Sequence, residues 1–179
     1  MAVVVVPLLA CACGSVFTAS GSPDTASGLT ISGARAGSIA TSPPGQCRVL
    51  HGVDSAHRET ASAVQLRPTT RAAVGTVLIW LYPYVGRSQY PLSSTVSTDA
   101  SWARLYEGED VGWSSTSGSV TVTSDLSDQL GGALSAPQMR AEDGGGAVTA
   151  LGSWKCAVVY EGPAPTPPMA WIQRPPPSP

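Results

Sequence analysis

The sequence predicts an all-β fold: a small antiparallel sandwich or partly open barrel of about seven short strands, with disordered N- and C-terminal tails. Three observations carry that expectation. Short apolar or alternating runs are bounded by Gly, Pro and Ser clusters, as strands are. No window shows a sustained helical period. The hydrophobic 42% of the 179 residues is mostly Ala and Val with a single Phe, material for pleated sheets rather than long Leu-rich helices.

At the N-terminus, residues Val3 to Ala10 are continuously apolar and no charge appears before Asp24. The run is too short to span a bilayer, which needs about 20 apolar residues, but it has the length of the apolar region of a signal peptide. Leu9-Ala10-Cys11-Ala12-Cys13-Gly14-Ser15 resembles a bacterial lipoprotein signal, in which small residues precede a cysteine that is lipidated before cleavage. Cys11 has Leu8 three residues before it; Cys13 keeps Pro7 away from the cleavage point. Parity favours Cys13, because the mature chain then retains Cys47 and Cys156 as an even pair, whereas lipidation of Cys11 leaves Cys13 odd. Residues 1–13 are therefore read as signal and anchor.

Residues 14–27 are rich in Ser, Thr, Gly and Ala and read as a flexible tether. Residues 161–179 contain Pro167-Pro168 and Pro175-Pro176-Pro177 and read as a disordered, extended tail. The β domain is expected over residues 28–160.

Within it, Leu29-Thr30-Ile31 opens an alternating segment, Val74 to Tyr82 is a longer apolar run, and Trp102 to Tyr106 alternates again. Val111 to Ser114 and Ser119 to Thr123 read as a hairpin about Ser115 to Gly118, with Val120 and Val122 on one face. Gly132 to Met139 and Ala147 to Lys155 read as a second hairpin about Gly144-Gly145-Gly146. In its last strand Val148, Trp154 and Cys156 share one face, opposite Thr149, Leu151, Ser153 and Lys155. Export places the chain in an oxidising compartment, and there a Cys47–Cys156 disulfide closes the domain.

Gly118-Ser119-Val120-Thr121-Val122-Thr123, Gly131-Gly132 and Val148 through Gly152-Ser153-Trp154-Lys155-Cys156, with Gln46-Cys47 upstream and Tyr90-Pro91-Leu92 between, resemble a group of small actinobacterial secreted proteins and lipoproteins. The resemblance implies a secreted β domain and no particular activity. Composition agrees: nine of ten basic residues are Arg, Lys155 is the only lysine and Asn is absent, the signature of a GC-rich genome.

A net charge of -2 leaves no basic stripe, so nucleic acid is not an expected partner. Neither a Cys-x-x-Cys spacing nor a Gly-x-Ser-x-Gly elbow occurs, and the glycine-rich stretches lack the Lys-Ser/Thr of a phosphate loop. His51, Asp54, His57 and Glu59 form the one cluster of titratable groups; they read as a solvent-facing polar loop, with a metal-dependent hydrolase built on His51, Asp54 and His57 as the rival. Trp80, Tyr82, Trp102 and Trp113, with Tyr84 and Tyr106, supply either core or an exposed platform for sugar rings. No cofactor or metal is expected. The reading is a cell-envelope lipoprotein with a non-catalytic, extracytoplasmic binding or structural domain, held to the membrane by its lipid and facing a protein or glycan partner. A carbohydrate-binding module is the alternative.

Overall fold

The computed structural model describes residues 28–40, 47–53, 59–67, 75–107 and 110–163. Among them the chain forms eleven strands and no helix: β1 (Gly28–Gly33), β2 (Gly37–Ala40), β3 (Cys47–Val53), β4 (Glu59–Leu66), β5 (Thr76–Leu81), β6 (Gln89–Pro91), β7 (Trp102–Glu107), β8 (Asp110–Ser115), β9 (Ser119–Leu126), β10 (Gln129–Ala141) and β11 (Ala147–Pro163). The expected all-β class holds, with more strands than expected. The signal, the tether and residues 164–179 lie outside the described residues, and the expected boundary at 160 is corrected: Glu161, Gly162 and Pro163 continue β11 in parallel register with β3.

The strands form one sheet in the order β2-β1-β11-β3-β4-β5-β7-β8-β10-β9-β6, and a further β11–β10 pairing joins its two arms. A circuit of seven strands therefore closes through β11, β3, β4, β5, β7, β8 and β10, while β2 and β6 remain edges. This is the partly open barrel form of the expected fold. Every pairing is antiparallel except β11 with β3, where Ala157 faces Arg48 in parallel register.

Length explains how one strand serves three neighbours. β11 pairs along one edge with β10; along the other its first part pairs with β1, Val148 to Ser153, and its last part with β3, Ala157 to Pro163. β10 does the same with β9 and then β8. β10 is irregular twice: against β9 between Gly131 and Gly132, and against β11 between Ala136 and Met139, at Pro137, which has no N–H to give the ladder.

Two-residue alternation sorts the side chains. Val64 and Leu66, Val77, Ile79 and Leu81, Ala103 and Leu105, Val120 and Val122, and Val148, Ala150, Trp154 and Cys156 all enter one continuous core. Trp154 and Cys156 share the inner face, with Leu151, Ser153 and Lys155 exposed opposite, as the alternation predicts. The expected β10–β11 hairpin forms as read. A second, smaller cluster packs on the outer face of β4, β5 and β7: Ala61, Ala63, Leu78, Trp80, Trp102 and Tyr106.

The first expected hairpin is corrected. β8 and β9 do not pair with each other; both run antiparallel to β10 and so follow one another along its edge. Thr116 to Gly118 is a bend, not a reversal. Gly118 (φ +116°) makes the bend because a Cβ there would lie 2.0 Å from the Ser135 carbonyl oxygen.

Candidate functional site

His51 is not on a polar loop. It lies on the inner face of β3, 2% exposed, level with Ser62 of β4 and with its ring 5.3 Å from that of Tyr84. Cys47 and Val49 precede it on the same face at two-residue spacing, and that alternation was the legible sign of a strand. Asp54 and His57 lie outside the described residues, as does the side chain of Glu59. Among the described residues no three His, Cys, Asp or Glu side chains come together as a metal site would require.

Of the two roles open to the aromatics, the structure gives Trp80, Trp102 and Trp113 that of core. Trp80 and Trp102 face each other across β5 and β7 with rings 6.4 Å apart and 19° from parallel, yet they are 3% and 2% exposed. The segment from Ser93 to Ala100 crosses them: Trp80 Nε1 donates to the Thr98 carbonyl at 3.4 Å and Trp102 Nε1 to the Ser97 carbonyl at 2.8 Å, with Val96 packed between strand and loop. Trp113 enters the opposite, inner face, and Tyr82 is half-buried. Four aromatics on two faces cannot offer one stacking surface; their burial follows from a chain with few other large side chains. The disulfide between Cys47 and Cys156 is formed, with Cα atoms 5.1 Å apart. Cys11 and Cys13 lie outside the described residues.

The open chemistry of the molecule sits elsewhere, over β7, β8 and β10. Arg104 stands opposite Ser114, and Ser114 opposite Arg140, so three adjacent strands set an Arg-Ser-Arg row on the outer face. Arg104 is fixed from several sides: its Nε donates to Ser114 Oγ at 3.1 Å, its Nη2 to Glu142 Oε1 at 2.7 Å, and its guanidinium lies 5.8 Å from the Trp102 ring. Ser114 Oγ donates in turn to Glu142 Oε1 at 3.2 Å. Arg140 is exposed and has no ion pair among the described residues. Above the row lies a groove of about 600 Å³, walled by Ser94, Thr95 and Val96.

A neighbouring groove of about 560 Å³ shares Glu142. Arg35, from the β1–β2 turn, pairs there with Glu107 and lies 5.4 Å from the centre of the Trp113 ring. The hydrogen bond and charge of Glu107 hold the Arg35 guanidinium above its ordinary pKa. Asp143 accepts from the Gly145 amide at 2.8 Å. This second groove is acidic, with Glu107, Glu142 and Asp143 against the single Arg35, whereas the first keeps an arginine to spare.

Neither groove is visible in linear spacing. Arg104 and Arg140 come together only because the register of β8 joins β7 to β10. The one local sign was the alternation Trp102, Arg104, Tyr106, which puts Arg104 beside two aromatics. Comparisons with family models, curated proteins and solved structures returned no match.

Proposed function

We propose that the chain is a cell-envelope lipoprotein, anchored through a lipid on Cys13, whose β domain serves outside the cytoplasm as a non-catalytic binding or structural module. The observation that carries this reading is the buried Cys47–Cys156 disulfide, since such bonds persist in oxidising compartments and are rare in reducing ones. The lipoprotein-type run Leu9 to Ser15 supplies the anchor, and each buried methylene of a diacylglyceryl group would add about 0.8 kcal/mol of membrane affinity. A core filled by side chains favours a rigid module that offers its surface to a protein or glycan partner of the envelope, and the grooves over β7, β8 and β10 are that surface.

Intact mass of the protein from its native membrane fraction, alkylated with and without reductant, tests the reading. A chain beginning at Cys13 with added acyl mass and one disulfide is the expected result. An unprocessed chain without lipid would remove the proposal.

A further inference from the structure

We propose that the groove over Arg104, Ser114 and Arg140 binds a phosphate group. The inference deepens the binding-module reading by naming its ligand chemistry, and it is independent of the lipid anchor.

Register supplies the geometry. Arg104 and Arg140 flank Ser114 on one outward row of three strands, so their backbones stand roughly 10 Å apart, two strand spacings. Both side chains are long enough to close on a tetrahedral anion set above Ser114 between them. The two guanidiniums have different tasks. Arg104 is already held by Ser114, Glu142, the Tyr106 hydroxyl and the Trp102 ring, contacts that leave part of its five N–H groups for a ligand. Its remaining donors are preorganised, so little side-chain entropy is lost when an anion arrives. Arg140 has no ion pair among the described residues and supplies the uncompensated charge.

The groove walls fit the same ligand. At about 600 Å³ the space exceeds one phosphate and admits the group that bears it, and the exposed Ser94 and Thr95 bring further hydroxyl donors to its rim. Phosphate offers more acceptor oxygens than a carboxylate and can take paired N–H donors from two directions at once. Glu142 opposes the anion by charge but occupies one edge of Arg104, so the anion approaches from the Arg140 side. In the adjoining groove Arg35 is engaged by Glu107, and it carries no equivalent spare charge.

The test titrates the ¹⁵N-labelled full chain with inorganic phosphate, and separately with phosphatidylglycerol and phosphatidylcholine vesicles. Saturable amide shifts confined to residues 94–96, 104, 114–116 and 140–142 are expected. Arg140→Gln should weaken phosphate binding about tenfold, the loss of one charge-assisted contact, and Arg140→Lys should fall between the two. Arg87→Gln, at an exposed arginine that lines neither groove, should change nothing. Vesicle binding that prefers phosphatidylglycerol and is lost in Arg140→Gln assigns the phosphate to a lipid headgroup; phosphate binding without vesicle binding assigns it to a soluble ligand. Absence of saturable shifts with both probes, or shifts that Arg140→Gln leaves unaltered, overturns the proposal. Lipidation is read by mass and binding by titration, so either proposal can fail while the other stands.

Discussion

Cys47, at the start of β3, and Cys156, on β11, sit side by side where those two strands begin their parallel pairing, with Cα atoms 5.1 Å apart and exposures of 5% and 1%. The bond ties together residues separated by 109 positions at the one parallel junction of the sheet. Loop-closure entropy for a span of that length corresponds to about 5 kcal/mol. The Cys47→Ser/Cys156→Ser double variant is therefore expected to lose roughly 3 to 5 kcal/mol of unfolding free energy in urea. A loss below about 1 kcal/mol would show that ladder hydrogen bonds alone hold the β3–β11 junction.

Ser62 is fully buried on the inner face of β4, and its hydroxyl has no hydrogen-bond partner among the described residues. A buried hydroxyl without a partner costs about 1 to 3 kcal/mol of desolvation. Ser62→Ala removes that cost and only one oxygen's volume. It is expected to stabilise the domain by up to about 1 kcal/mol, read as a higher urea midpoint at unchanged m-value. A lower midpoint would show that the hydroxyl is satisfied.

How much of this was legible in the sequence follows from what each residue depends on. The inner faces of β9 and β11 were readable because two-residue alternation is a local property: Val120 with Val122, and Val148 with Trp154 and Cys156; β5 and β7 were read as strands without a face, β5 because it is apolar on both sides. β3 and β4 were not recognised as strands, because the charged residues between them invited a loop reading and because β4 is built on Ala61, Ser62 and Ala63, small residues that give little apolar contrast. The continuation of β8 into β9 was misread because Ser115 to Gly118 has the composition of a hairpin turn; only the close approach of Gly118 to Ser135 shows the chain passing along β10. The Arg104–Ser114–Arg140 row depends on register between strands far apart in sequence, which no local pattern encodes.

Gly118 and Gly144 both take positive φ, +116° and +81°, yet a Cβ at Gly118 would meet the Ser135 carbonyl at 2.0 Å while one at Gly144 would meet nothing within 4 Å. Gly144→Ala carries only the left-handed penalty, about 1 kcal/mol. Gly118→Ala adds a clash with backbone and must displace β9 from β10, so a loss of about 3 kcal/mol or more is expected. Chemical denaturation of the two variants side by side checks the ordering; equal losses would mean that backbone conformation alone sets the cost.

Tyr106 lies on the outer face of β7, 1% exposed, in the cluster with Trp80 and Trp102. Burial raises its phenol pKa above the ordinary value of 10.0, and the hydrogen bond and charge of Arg104 pull the other way without cancelling the effect. The folded chain thus holds the Tyr106 proton more tightly than the unfolded chain. The associated stability is fully present below the unfolded pKa and is lost as pH rises past about 10 and through the folded value. Tyrosinate absorbance should accordingly show a late-titrating component, missing in Tyr106→Phe, whose ionisation coincides with loss of the β-sheet circular dichroism signal. Tyr106→Phe keeps the ring and deletes the titrating group, so its alkaline transition should move to higher pH while stability at pH 7 changes little. An unshifted alkaline transition in Tyr106→Phe would place the sensitive group elsewhere in the chain.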